Sequence, residues 1–185
     1  MDTAVHLSIT ELEAGMEHIR QSPRDNGMVK LIVRRPNVDE RELVDQADFS
    51  LTDGLVGDNW KQRGSASTPD HSAHPEAQVT VMNARAAVLM AQSDERLPLA
   101  GDQLYVDFDL SDDNIPAGTR IQLGSVVLEV SAKPHTGCNK FSARFGLEAL
   151  KFVNSPEGKH LHLRGINTKV VQAGILRVGD TVKKL

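Results

Sequence analysis

The chain is poor in several residue types, and each shortage excludes something. It has one cysteine, Cys138, in 185 residues, so no intrachain disulfide can form and a disulfide-stapled scaffold is excluded. No stretch approaches the roughly 20 consecutive apolar residues that cross a bilayer as a helix. The start, Met1-Asp2-Thr3-Ala4-Val5-His6, has no basic segment followed by an apolar one, so no signal peptide is expected. With its unpaired cysteine, the protein is expected in a reducing cytoplasm, away from membranes. Excess positive charge is missing too: 21 Lys and Arg against 25 Asp and Glu leave a net charge of −4. That argues against a nucleic-acid binder held by overall charge and leaves room for a local basic pocket. Aromatic residues are few, and the only tryptophan, Trp60, reads as an anchor for a loop, with a lid role as the alternative.

What is present points to a mainly β protein with short helices. Residues 1–26 read as an N-terminal helical extension packed outside the main domain, and residues 27–185 as that domain. In the extension, Leu12, Met16 and Ile19 share one helical face, Ser8 and Glu11 fit a capping box, and Pro23 closes the segment. After Gly27, short runs bounded by turn residues follow: Val29–Val33, Glu42–Val44, Gln78–Met82, Leu104–Leu110, Arg120–Leu123, Val126–Ser131, His160–Leu163, Lys169–Gln172 and Thr181–Lys184. Asn83 can cap a helix from Ala84 to Gln92, and a second helical region runs from about Lys140 to Val153, divided at Gly146. Many short strands with few helices predict a closed or strongly bent β-barrel. The polar stretch from Lys61 to Glu76 reads as a flap.

The chemistry concentrates in Pro134-His135-Thr136-Gly137-Cys138-Asn139-Lys140-Phe141. A thiol acts as thiolate, and cations lower its pKa. His135, Lys140 and Arg144 are the candidate cations. The residues alone allow a metal-ligating, persulfide-carrying or nucleophilic thiolate, or an inert buried cysteine. Strand alternation over Lys159–Arg164 puts His160, His162 and Arg164 on one face as a basic strip, a candidate anion site or a solvated face. His71 and His74 have chelating spacing but no evident third ligand, so they read as exposed histidines.

Together, Gly54-Leu55-Val56-Gly57-Asp58-Asn59-Trp60, Gly101-Asp102-Gln103-Leu104, the Cys138 stretch, Arg164-Gly165 and Val178-Gly179-Asp180 resemble the ordered landmarks of the MOSC domain family, named after the C-terminal domain of molybdenum-cofactor sulfurase. The resemblance covers approximately Gly27 to the C-terminus. It implies a β-barrel and a role in handling the molybdenum cofactor (molybdopterin), with Cys138 as catalytic residue or metal ligand. Members deliver or bind sulfurated cofactor or use it to reduce N-hydroxylated compounds, so the implied role is sulfur carrier or small molybdenum-dependent reductase. The chain has no room for a pyridoxal-phosphate desulfurase domain, and no pyridoxal phosphate is expected.

An anionic pterin needs fixed donors. Lys140, Arg144 and Arg164 are the candidate phosphate grips, and the backbone of Thr136 and Gly137 could face an oxo ligand or phosphate. Asp58 and Asp102 either bond their own turns or accept from the pterin ring. The expected site is the meeting point of the Cys138 turn, Arg164 and the Gly57-Asp58 turn. Expected partners are the pterin cofactor and a sulfur donor or electron-transfer protein, with no nucleic acid and no membrane. The alternatives are a metal-independent cysteine enzyme with His135 as base, and a non-catalytic adaptor.

Overall fold

Both faces of the central strands are apolar, and the architecture follows from covering both. In the computed structural model, which describes residues 5–185, the chain opens with α1 (Ile9–Ala14) and α2 (Met16–Arg20). It continues through β1 (Gly27–Arg34), β2 (Glu42–Leu43), β3 (Gln46–Ser50), β4 (Gly54–Leu55), α3 (Trp60–Arg63), β5 (Val79–Asn83) and α4 (Ala84–Ala91). A 3-10 helix spans Asp94–Ala100, followed by β6 (Leu104–Asp107), β7 (Arg120–Leu123) and β8 (Val126–Val130). Helices α5 (Asn139–Phe145), α6 (Leu147–Asn154) and α7 (Pro156–His160) precede β9 (Ile166–Gln172), β10 (Gly174–Arg177) and β11 (Thr181–Lys184).

Seven strands close a mixed barrel in the order β1-β6-β5-β9-β8-β7-β11, and β11 returns to β1 through Gly27↔Val182. Only β5 and β6 run parallel, the two being joined through α4; the other barrel pairs are antiparallel. Strand β2 hangs on the end of β1, and β10, β3 and β4 form a separate three-stranded sheet. The interior is filled by Val29, Ile32, Val81, Leu104, Val106, Ile121, Leu128 and Val182 among others. A bulge between Val29 and Leu31 lets two residues three apart, Val29 and Ile32, both face inward.

The outward faces of β1, β5 and β6 are apolar as well, at Val33, Met82 and Tyr105, and helices cover them. Phe141, Phe145, Ala149 and Phe152 from α5 and α6 join Ala86, Ala87 and Met90 from α4 and Leu12, Met16 and Ile19 from α1 and α2. This second core explains why β5 is buried at every position. The capping signals hold in detail. Ser8 Oγ accepts from Glu11 N–H while Glu11 accepts from Ser8 N–H, and Asn83 Oδ1 accepts from Arg85 N–H at 2.8 Å. Gln92 ends α4 in the left-handed region at φ 60.

One expected strand is absent. His160–Leu163 lies at the end of α7 and in the turn after it, because Ser155 caps that helix, accepting from Gly158 N–H at 2.9 Å, with Pro156 in its first turn. The strand begins only at Ile166, after the positive-φ Gly165. The basic strip built on that alternation is thereby lost. His160 and His162 turn to Asp113 and Asp112, at 3.1 and 2.9 Å, and only Arg164 faces the site.

Candidate functional site

The last carbonyls of a helix have no partner inside it and form the negative end of its dipole. Where the 3-10 helix Asp94–Ala100 ends at the left-handed Gly101 (φ 93), four successive carbonyls each accept from a different arginine. Pro98 O accepts from Arg41 Nε at 3.2 Å, Leu99 O from Arg144 Nη1 at 2.8 Å, Ala100 O from Arg164 Nη2 at 2.9 Å and Gly101 O from Arg35 Nη1 at 2.8 Å. Four arginines from three separate parts of the sequence are thus racked along one short backbone segment, and all four line one cavity of about 390 Å³.

Two of these arginines are also gripped from behind by buried carboxylates. Arg35 meets Asp58 side-on, Nε to Oδ2 and Nη2 to Oδ1 both at 2.8 Å, and Asp58 also accepts from Trp60 N–H at 3.0 Å. Arg164 Nη1 donates to Asp102 Oδ2 at 2.5 Å, and His135 Nε2 lies 3.0 Å from Asp102 Oδ1. Both carboxylates are wholly buried. Burial alone would raise the Asp102 pKa, but the charges of Arg164 and His135 overcome it and hold the group at about 2. Asp102 is therefore a carboxylate at neutral pH and can only accept. Burial, then repulsion from Arg164, pushes His135 below the ordinary histidine range, so near neutrality its imidazole is uncharged. A neutral ring bonded to an obligate acceptor carries its proton on Nε2, which leaves Nδ1 with a lone pair.

Cys138 is exposed, caps α5 without a side-chain bond, and stands on the wall of the same cavity. His135, Thr136, Lys140, Arg144 and Arg164 line it too, so most of the residues expected from sequence converge. Three do not reach it. Asp58 and Asp102 lie behind the wall as anchors for Arg35 and Arg164, and their oxygens are engaged there instead of facing a ligand. Gly137 is clamped by Asn154, whose Oδ1 accepts from Gly137 N–H at 2.9 Å while its Nδ2 donates to Gly137 O at 3.2 Å. The N–H expected to face an oxo group is thus occupied. A side chain at Gly137 would also strike Leu150 and Val153 of α6, at 2.7 and 2.9 Å. The Gly57-Asp58 turn does reach the site, through the next residue, Asn59, and Trp60 is buried as an anchor.

Sequence reasoning missed Arg35, Arg41, Arg63, Lys133 and Asn59. Among the described residues the cavity has seven basic side chains (these three arginines, Lys133, Lys140, Arg144 and Arg164) and one acid, Asp39. Desolvation first, and then the neighbouring arginines, push the pKa of both Arg41 and Arg63 down. Two buried polar atoms of wall residues, Asn59 Oδ1 and Arg164 Nε, have no hydrogen-bond partner among the described residues. Elsewhere, His74 Nδ1 accepts from Glu76 N–H and caps a 3-10 turn, and no group of three His, Cys, Asp or Glu side chains among the described residues is arranged to hold a metal. No helix among them is long and apolar enough to cross a membrane.

Comparison with known proteins adds the following. The sequence model described as MOSC domain matches residues 58–183. Among solved structures, the YUAD protein from Bacillus subtilis aligns with a TM-score of 0.61 at 16% identity, over 85% of this chain and 94% of that one. YiiM from Escherichia coli gives 0.55 at 16% identity, covering 85% and 69%. YiiM from Geobacillus stearothermophilus gives 0.53 at 13%, covering 87% and 74%. At such identities the likeness is one of fold. A comparison with curated protein sequences finds no match.

Proposed function

The chain belongs to the MOSC domain family, and on that premise we propose that it binds the molybdenum cofactor and uses Cys138 either to carry sulfur or as the molybdenum ligand of a small reductase of N-hydroxylated compounds. The observation that carries this reading is an exposed cysteine on the wall of a cavity with seven basic side chains and one acid among its described lining. The donor set fits the cofactor. Its phosphate is an anion, for which Arg164, Arg144 and Lys140 are the candidate donors, and Arg164 Nε is buried with no acceptor among the described residues. The pterin ring presents amino and carbonyl groups, which the unpartnered Asn59 carboxamide can answer. A thiolate is the soft ligand that molybdenum favours, and it can alternatively carry one extra sulfur as persulfide.

When bound, the cofactor supplies oxo-transfer and two-electron redox chemistry. The chain's own residues prepare the cavity. Asp102 fixes the His135 ring with Nδ1 as acceptor, able to take a proton from a group in the cavity, and the carbonyls 98–101 hold the guanidiniums in place. The neutral state of His135 also favours a second reading, a metal-independent cysteine enzyme with this imidazole as base. Reductase activity calls for an electron-transfer partner and carrier activity for a sulfur donor, both in the cytoplasm.

The test is elemental analysis, pterin fluorescence and intact mass on protein made in a host that synthesises the cofactor. Molybdenum and pterin should co-purify with the wild type, and Cys138→Ser should lose the metal. A carrier would instead show one added sulfur mass that Cys138→Ser abolishes. Protein with neither metal, pterin nor added sulfur would sink the reading and leave the cysteine-nucleophile alternative.

A further inference from the structure

The arginines of the cavity differ in what neutralises them. Arg35 and Arg164 each face a buried carboxylate, so each pair is nearly neutral and offers directed N–H groups more than net charge. Arg41 donates only to carbonyls, Pro98 O at 3.2 Å and Glu40 O at 2.7 Å. The Arg63 guanidinium has no hydrogen-bond or ion-pair partner among the described residues. Arg144 reaches Asp39 at 3.3 Å, but that carboxylate is 67% exposed and water screens it. Arg144 and Arg41 approach the same face of Gly101, with Nη1 and Nη2 at 3.6 and 3.8 Å from where a Cβ would stand. Uncompensated charge therefore collects at Arg41, Arg63 and Arg144. Gathering like charges is unfavourable, and an anion relieves it.

An independent feature lies beside this cluster. Asn59, 8% exposed, lines the cavity immediately before the helical turn α3 that carries Arg63, and its buried Oδ1 has no partner among the described residues. Oδ1 is an acceptor, so it pairs with an N–H or O–H of a ligand beside the anionic group and not with the oxyanion itself; left unpaired it costs about 1–3 kcal/mol. Arg35 and Arg41 also precede residue 58, where the family match begins, so part of the charge on this wall comes from outside the matched segment.

Resting on the cofactor reading above, we propose that the cavity contains two oxyanion subsites: one on Arg164 and Arg144, the phosphate grip of that reading, with Arg35 beside it, and a second on Arg41 and Arg63 that takes a phosphate or carboxylate group. The second group belongs either to the molecule seated in the first subsite or to a separate anionic substrate.

Titration calorimetry with inorganic phosphate, on protein made in a host lacking the pterin cofactor, tests this directly. The wild type should bind two phosphates per chain, and Arg41→Gln combined with Arg63→Gln should bind one. A single phosphate on the wild type, or two retained by the double variant, would overturn the proposal. Should the double variant fail to fold by circular dichroism, Arg63→Gln alone decides, since that side chain is exposed. Its second phosphate should bind about tenfold more weakly, the loss of one charge-assisted contact, and unchanged affinity would overturn the proposal. Phosphate titration of the cofactor-loaded protein separates the two sources: no phosphate bound assigns both groups to the cofactor, and one phosphate bound assigns the second group to a separate anionic substrate. Molybdenum and pterin content scores the cofactor reading separately, so two phosphate sites without metal or pterin would keep the subsites and discard that reading.

Discussion

Arg164 and Arg41 donate to backbone carbonyls two residues apart, yet they are held in opposite ways. Behind Arg164 stands Asp102, fully buried, which also fixes His135; Arg41 has carbonyls only, with Arg144 and Arg35 as repelling neighbours. The first arrangement is structural, because a buried ion pair missing one member leaves a bare charge in low dielectric. The second is a charge that folding leaves unneutralised. One wall of the cavity is thus fixed by the fold, and the other awaits an anion.

Breaking the carboxylate-backed side should have the largest effect. Asp58→Asn leaves Arg35 without its counter-charge and replaces one oxygen by an NH2 group, so either Arg35 N–H and Nε at Oδ2, or Arg35 Nη2, Trp60 N–H and Gln103 Nε2 at Oδ1, lose their acceptor. The expected loss is about 3–5 kcal/mol, read as a lowered urea midpoint with an unchanged slope. Arg41→Gln in the same assay should lose less than about 0.5 kcal/mol. Equal losses would erase the distinction between the two sides.

Acid should act on the same side next. Asp102 is held at about 2 against an ordinary 3.8. Its contribution is present above the unfolded value and fades as pH falls from 3.8 toward 2, by about 2 kcal/mol in all. His135 works in the same direction at higher pH. Its folded pKa is depressed, so below about 6.5 the unfolded chain takes the proton first and stability begins to fall. Urea midpoints measured from pH 7 to pH 2 should decline in these two windows, and a flat profile would mean that neither group is coupled to folding.

Cys138→Ser sharpens the comparison from the other end. The side chain is exposed and caps α5 without a hydrogen bond, so the melting temperature should move by less than a degree or two, the response to roughly 0.5 kcal/mol or less. Metal retention or added sulfur should vanish all the same. A large drop in stability would show the thiol to be a packing group.

The sequence made one part of this site legible and hid the other for a physical reason. Cys138 is unique in the chain and sits in a glycine-containing turn, and Arg164 precedes Gly165, so both stand out. Arg35, Arg41 and Arg63 are three among 21 basic residues, and what gathers two of them is a row of backbone carbonyls that carries no side-chain signature. The same holds for the fold. Arg120–Leu123 alternates clearly and Thr181–Lys184 follows the Gly179-Asp180 turn, so both are legible to the residue, whereas the small sheet carries no such signal. Its strand Gly54–Leu55 has only two residues, and Gln46–Ser50 mixes Ala47 and Phe49 with polar neighbours and pairs with the distant Gly174–Arg177. His160–Leu163 alternates like a strand, but the Ser155-Pro156 helix start just before it decides the local structure.

The smallest expected effect is the most discriminating, because its sign opposes the usual one. Most substitutions destabilise, but Arg63→Gln removes a charge that desolvation and repulsion from Arg35 and Arg41 disfavour by more than Asp58 favours it, and breaks no side-chain hydrogen bond among the described residues. Without ligand the variant should equal or slightly exceed the wild type in melting temperature. Phosphate should then reverse the order, since an anion that binds the folded state raises the melting temperature in proportion to its affinity, and the variant binds it less well. Melting curves of both proteins across a phosphate series should therefore cross. Parallel curves would mean that Arg63 is a solvated surface charge, and the unneutralised wall would shrink to Arg41 and Arg144.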